Sequence, residues 1–185
     1  MSMRILACEI DGVYQVESSV VADSRGRFAR LYCEDELAAV LMQRKIVQVN
    51  RSLTHKCGAV RGLHFQYPPH AEMKLVRCLK GRVWDVAVDL RAGSPTFLKW
   101  TACELSPENG RMMVIQEGCA HGFQVLEPDS ELLYLHTAAY TPESEGAVRF
   151  DDPAVAIVWP LPVSELSERD RNHPLLDKSF QGLMI

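Results

Sequence analysis

KLVRCLKGRVWDVAVDLR, Lys74 to Arg91, is the stretch that decides the fold class. Apolar and β-branched residues alternate through it, and Lys80-Gly81 breaks the alternation. That pattern predicts two strands joined as a hairpin. Further strand-like runs follow at short intervals: TFLKWTACEL, GRMMVIQ, HGFQVLE and ELLYLHTAAY, separated by Ser-Pro, Glu-Asn-Gly and Glu-Pro-Asp-Ser. Only CEDELAAVLMQRK, residues 33–45, reads clearly as helix. Leu37, Val40 and Leu41 repeat at helical spacing, acids crowd the first turn, and Arg44 and Lys45 close it. Many short strands with regular turn signals predict an all-β sandwich or barrel. In a barrel, alternate residues of each strand point to the lumen, so a site is built from inward-facing side chains.

The composition narrows the function classes. A length of 185 residues fits one domain with a single core, and no linker or repeat divides it. A net charge of −4 without a basic block argues against nucleic acid. No apolar run approaches the ~20 residues needed to span a bilayer. The start, MSMRILACEIDGVYQ, lacks a secretory apolar region because Glu9 and Asp11 interrupt it. Cys8, Cys33, Cys57, Cys78, Cys103 and Cys119 are scattered without a Cys-x-x-Cys pair, and are expected as free thiols acting as small core hydrophobes. A cytoplasmic protein is expected.

The segment VRGLHFQYPPHAEMKLV, Val60 to Val76, is too polar for a strand that only folds. Gly62, His64 and Gln66 share one face of the strand, with Leu63 and Phe65 on the other. Lys74 shares a face with Val76 and Cys78, and Tyr134 with Leu132 and His136. Taken singly, each has an ordinary structural explanation: a hydrogen-bonded histidine, a snorkelling lysine, a core tyrosine. Asp170, in Leu-Ser-Glu-Arg-Asp, equally fits a helix-starting box with Ser167. Together they supply a base, a cation, a proton donor and an orienting carboxylate, which proton transfer beside a carbonyl requires. A metal is the competing reading, with His64, His70, Glu72 and His121 as ligands. The His-x-His pair common in metal-binding cupin barrels is missing, and no metal is expected.

RGLHFQYPPHAEMKLVRCLKGRVWDVAVDLRAGSPTF, EGCAHGF, TPESEGAVRFDDPAVAIVWP and LSERD closely resemble the dTDP-4-dehydrorhamnose 3,5-epimerase family, in the family's order, from about Asp23 to Leu176. The resemblance implies a cupin-like jelly-roll β-barrel with a few short peripheral helices, a homodimer, and no cofactor. Its core would span roughly 46–160, with N-terminal strands and helix over 1–45 and a C-terminal segment over 161–185 that contributes Asp170. The substrate implied is a nucleotide-diphosphate 4-keto-6-deoxy sugar, epimerised at C3, C5 or both. His64 is then the base, Asp170 its partner, Lys74 the cation beside the C4 oxygen, and Tyr134 the acid. His121 and Arg61 would line the sugar and diphosphate, with Gln48 and Asn50 near by. Arg25, Phe28 and Tyr140 would meet the nucleotide, and Arg30 and Arg169 complete the substrate-binding set. By strand parity Arg61 points away from His64, so the backbone must bend between them if both touch one ligand, and Gly62 could permit that bend.

Several positions depart from the family pattern. Arg30 replaces a glutamate that the resemblance places near the pyrimidine. Arginine suits an acceptor such as N3 of cytosine, so a base other than thymine is one expectation. Gln116, Cys119, Ala138 and Ala139 reshape the walls and leave open whether one or two carbons are inverted. The alternatives are therefore a single-centre C3 or C5 epimerase, with a CDP-linked sugar among its possible substrates, a non-catalytic sugar-nucleotide-binding cupin, and a metal-dependent cupin oxygenase.

Overall fold

A computed structural model describes residues 2–185. In chain order these form β1 (Met3–Ala7), β2 (Val13–Ser18), β3 (Val20–Asp23), β4 (Gly26–Ala29), α1 (Glu34–Leu41), β5 (Gln48–Thr54) and β6 (Val60–Gln66). There follow β7 (Lys74–Lys80), β8 (Val83–Asp89), β9 (Trp100–Leu105), β10 (Arg111–Ile115), β11 (Cys119–Val125), β12 (Ser130–His136), β13 (Glu145–Ala147) and α2 (Glu168–Asn172). Six strands make one antiparallel sheet, ordered β1-β2-β10-β7-β12-β5. Five make the other, ordered β13-β6-β11-β8-β9, and β3 pairs with β4 as a separate ribbon. Two facing antiparallel sheets with short helices outside them form a jelly-roll barrel, the all-β class that the strand spacing predicts.

The expected hairpin at Lys80-Gly81 is not one. β7 lies between β10 and β12 in the six-stranded sheet, while β8 lies between β11 and β9 in the other. Both edges of β7 are occupied, so the chain turns the barrel corner and pairs elsewhere. Gly81 makes this corner at φ +73°, and a Cβ there would meet Ser130 Oγ at 2.3 Å. That hydroxyl instead accepts the Arg82 N–H at 3.0 Å.

The helix is also shorter than expected. It ends at Leu41, and Met42 adopts φ +56° with its N–H on the Ala38 carbonyl. Arg44 and Lys45 therefore follow the helix and pair with Glu117 and Glu34.

Three apolar clusters hold the barrel. The interior joins Val76, Cys78, Val83, Cys103, Met113, Phe123 and Leu132 from both sheets. Outside the six-stranded sheet, Leu37, Val40 and Leu41 of α1 pack on Leu75, Met112 and Val114. Outside the five-stranded sheet, Val155, Trp159, Leu176 and Leu183 cover Leu63, Val86 and Val88. Full burial of each large aliphatic or aromatic side chain contributes roughly 1.5–3 kcal/mol. All six cysteines are free: Cys78, Cys103 and Cys119 are core side chains, whereas Cys57 is exposed. Among the described residues no helix is long and apolar enough to cross a membrane.

Candidate active site

The interior is apolar at one end and opens at the other into a cleft of about 1100 Å³. Strands β5, β7 and β12 of one sheet and β6 and β11 of the other supply its walls, with α2 at the rim.

His64 projects from β6, and its Nε2 lies 2.7 Å from Asp170 Oδ1. The C-terminal segment reaches this strand through a parallel bridge between Ala59 and Glu165, with Val60 N–H bonded to the Glu165 carbonyl. Ser167 then caps α2 by accepting the Asp170 N–H at 3.0 Å, which aims the Asp170 carboxylate inward. Both readings of Leu-Ser-Glu-Arg-Asp hold at once: it starts a helix and it partners the histidine. Burial pushes the Asp170 carboxyl up, but the hydrogen bond and charge of His64, the Gly62 N–H and Arg169 together hold it below its ordinary range. An ionised acceptor on Nε2 places the ring proton there and leaves the lone pair on Nδ1.

Arg61 and His64 reach the same cleft because β6 is bulged. Across β11, His121 pairs with His64 but Phe123 with Arg61, one residue out of step. Gly62, at φ +124°, occupies the bend, where a Cβ would lie 2.5 Å from Gly122 Cα. The parity conflict between Arg61 and His64 is resolved at this bulge.

Opposite, Lys74 on β7 is buried. Its ammonium donates to the His64 carbonyl at 3.0 Å and lies 3.3 Å from Glu72 Oε1, so it does not snorkel to solvent. Tyr134 on β12 places its hydroxyl 3.3 Å from Ser52 Oγ, and burial pushes that phenol well above its ordinary pKa. The neutral hydroxyl is a proton donor. His121 on β11 bonds Asp85 Oδ1 through Nε2 at 2.8 Å, and desolvation pushes the Asp85 carboxyl up. His136 bonds Glu72 Oε2 through Nδ1 at 2.7 Å, and its Nε2 meets the Asn50 amide at 3.4 Å.

The rim is cationic. Arg61 Nε donates to Thr54 Oγ1 at 2.9 Å. Arg169 forks onto Glu145 at 2.7 and 2.9 Å, with one nitrogen 3.4 Å from His64 Nε2. Tyr140 donates its hydroxyl to the same Glu145 carboxylate, and Gln48 accepts the Tyr140 N–H from behind.

Asn50, Arg61, His64, Lys74, His121, Tyr134, Tyr140, Arg169 and Asp170 thus meet in one cleft. Four residues of the expected set are not in that lining: Gln48 sits behind Tyr140, and three lie elsewhere in this chain. Arg25 and Phe28 stand exposed on the β3–β4 ribbon, Arg25 paired with Asp23, and the Arg30 guanidinium is held by Glu36 of α1. The weighed metal set is dispersed, with His70 exposed and Glu72 bonded to His136. Among the described residues, His64, Asp170 and His173 have ligand atoms within 4.8 Å of one another. An ion held there would have to replace the His64–Asp170 hydrogen bond. Sequence reasoning missed Asp85, Glu145 and Ser52, and saw Glu72 and His136 without connecting them. Asp85 carried a faint signal, a carboxylate at inward parity between Val83 and Ala87.

A His–Asp pair, an enclosed phenol, a buried ammonium and guanidiniums at the mouth of a jelly-roll barrel are the groups that suit proton transfer on an anionic ligand. The model of the family described as dTDP-4-dehydrorhamnose 3,5-epimerase matches residues 7–178, and the chain belongs to that family of cupin-like isomerases. The Sinorhizobium fredii dTDP-4-dehydrorhamnose 3,5-epimerase is 44% identical over 167 residues, covering 88% of this chain and 86% of that one. The dTDP-4-dehydrorhamnose 3-epimerase of Streptomyces niveus is 38% identical, covering 94% and 84%. The crystal structure of dTDP-6-deoxy-D-glucose-3,5-epimerase from Legionella pneumophila, in complex with dTDP-4-keto-L-rhamnose, superposes with a TM-score of 0.90. It is 38% identical and 99% of each chain is covered.

Proposed function

We propose that this epimerase inverts C3 and C5 of a dTDP-linked 4-keto-6-deoxyhexose, with His64 as base and Tyr134 as acid. The observation that carries the reading is the placement of these two groups on opposite sheets around one cleft, β6 and β12. A sugar ring between the sheets offers one face to each. His64 Nδ1 takes the proton from carbon beside the C4 ketone, the C–H electron pair becomes the C=C bond of the enolate, and the carbonyl π pair moves onto the oxygen. Lys74 stabilises the enolate so formed, and Asp170 stabilises the imidazolium. When the enolate collapses, Tyr134 returns a proton from the opposite face, which inverts the centre. Solvent then reprotonates the phenolate and takes up the proton from His64.

Arg61 and Arg169 suit the diphosphate, because guanidinium forks chelate phosphate oxygens. The protein acts in the cytoplasm as a homodimer in this reading. Arg25 and Phe28, exposed on a ribbon away from this chain's own cleft, then serve the nucleotide end of the partner's cleft. Arg30 lies outside this chain's cleft and is paired with Glu36, which takes away the ground for expecting a cytosine-linked sugar. The Streptomyces niveus relative, a 3-epimerase, supports inversion at C3 alone as the second reading, with the same residues acting at one carbon.

Incubation with dTDP- and CDP-4-keto-6-deoxyglucose in heavy water, read by NMR, tests the proposal. Deuterium is expected at both C3 and C5 of the dTDP sugar, and at neither in His64→Asn. Deuterium at C3 alone selects the single-centre reading. Undiminished exchange in His64→Asn would overturn the base assignment.

A further inference from the structure

Four histidine–carboxylate pairs border the cleft, His55–Asp129 among them at the exposed rim, and only His64–Asp170 has been given a part in proton abstraction. His136–Glu72 stands beside the ammonium that steadies the enolate. Glu72 uses both oxygens: Oε1 lies 3.3 Å from Lys74 Nζ, and Oε2 lies 2.7 Å from His136 Nδ1. All three side chains are about nine-tenths buried. In strand register His136 stands directly opposite Lys74, and its ring stacks on Tyr134 at 6.0 Å with 20° between planes.

A carboxylate here has a chemical cost. It compensates the charge on Lys74, and an ammonium already neutralised stabilises a developing oxyanion less. A salt bridge serving only to fix Lys74 would need no imidazole on its second oxygen. We propose that Glu72 and His136 form a charge-setting pair, in which protonation of His136 releases the positive charge of Lys74 toward the reacting oxygen. The inference rests on the epimerase reading above and deepens it.

The hydrogen bonds support two states of the pair. Burial pushes the Glu72 carboxyl up, but the His136 hydrogen bond and the Lys74 charge outweigh it, and the group is held below its ordinary value as an anion. An Asn50 amide N–H on Nε2 goes with a ring that donates from Nδ1 alone, the first of the two states. Lys74, Glu72 and His136 then sum to zero charge. A solvent proton on Nε2, with the Asn50 amide turned to present its oxygen, raises the sum to +1. The groups facing His136 are Glu72 from the segment before β7, Lys74 on β7, Tyr134 on its own strand and the neutral Asn50 on β5. One unit of charge so near an enolate, at an effective dielectric of about 20, changes the rate roughly tenfold or more. His136 is thus a positioning residue acting through Glu72, and it places a fall in rate on the alkaline side of the pH profile. Tyr134, with its phenol pushed far up, does not supply that fall.

The test measures exchange of the sugar C–H into heavy water against pH in the wild type, Glu72→Gln, His136→Asn and the double variant. The wild type should lose rate on the alkaline side. His136→Asn should show no alkaline fall and stay roughly tenfold below the wild type's maximum. Glu72→Gln, nearly isosteric, should keep the high rate across the alkaline side, and the double variant should follow Glu72→Gln, because His136 acts only through the carboxylate. An alkaline fall that survives in His136→Asn, or a Glu72→Gln variant as slow as His136→Asn, overturns the proposal. A ¹⁵N NMR titration of the unliganded protein reports independently of turnover: the Lys74 ammonium signal should move with His136 protonation in the wild type and not in Glu72→Gln. Absence of that coupling overturns the pair even where exchange occurs. Coupling without any exchange in the wild type overturns the epimerase reading instead.

Discussion

In the proposed mechanism Tyr134 decides the stereochemistry, because abstraction needs only His64 whereas inversion needs a donor on the other face. Tyr134→Phe should therefore keep hydrogen exchange at the activated carbon within about tenfold while losing inverted product by roughly 10²–10⁴-fold. NMR of the recovered sugar separates the two, and inverted product at the normal rate would remove Tyr134 from the mechanism. Asp170→Asn should slow exchange itself by a comparable factor, since an amide no longer stabilises the imidazolium. The sequence exposes His64, Lys74 and Tyr134 because β-strand parity turns each away from the apolar residues next to it in the chain, Leu63 and Phe65, Leu75, and Leu133 and Leu135. Asp170 is different. It lies 106 residues from His64 along the chain, and no spacing rule joins them. Asp85 and Glu145 stay hidden for the same reason, as each is explained by a partner on another element, His121 on β11 and Arg169 on α2.

Between β8 and β9 the connection is organised by one carboxylate. Asp89 accepts from the Arg91 N–H and guanidinium at 2.8–3.0 Å and from the Ser94 and Thr96 hydroxyls at 2.5 and 2.6 Å. Burial pushes its carboxyl up, but these donors prevail and hold it at about 2. A folded-state pKa below the unfolded value gives stability that is complete above about 4 and lost as pH falls through about 2. Asp89→Asn should cost roughly 1–3 kcal/mol at neutral pH and flatten this acid dependence, measured by urea unfolding across a pH series. Elements were legible where local pattern suffices: strands β6 to β12 and the first turns of α1 follow from periodicity. Partner choice was not. Lys80-Gly81 reads as a hairpin from either side, and only the occupied edges of β7 send β8 to the other sheet. The end of α1 was equally hidden, because Met42 stops it through a left-handed backbone that its sequence does not announce.

At the scale of the whole molecule, exposed apolar side chains stand on two strand edges among other places. Val20, Val21 and Phe28 are exposed on the β3–β4 ribbon, and Val49 and Leu53 on β5, the free edge of the six-stranded sheet. An edge strand left open invites pairing or cover. In the homodimer reading, light scattering should give twice the chain mass of 20.8 kDa. Phe28→Asp should shift the mass toward one chain or, with the dimer kept, raise KM for the nucleotide sugar. A monomeric wild type with full activity would remove the ribbon from the site. The all-β barrel was legible as a class because turn signals recur along the chain, but the ribbon was not, since Arg25 and Phe28 carry no mark of the direction they face.

Gly62 and Gly122 stand back to back where β6 and β11 cross the bulge, and they have no side chains to contribute to any reaction. Their emptiness nonetheless fixes the reach from the imidazole to the guanidinium of Arg61, and with it, in the proposed reading, the length of ligand the protein can measure. A methyl group added at either position would wedge those strands apart and put the ruler out of true while every reactive group remained in place.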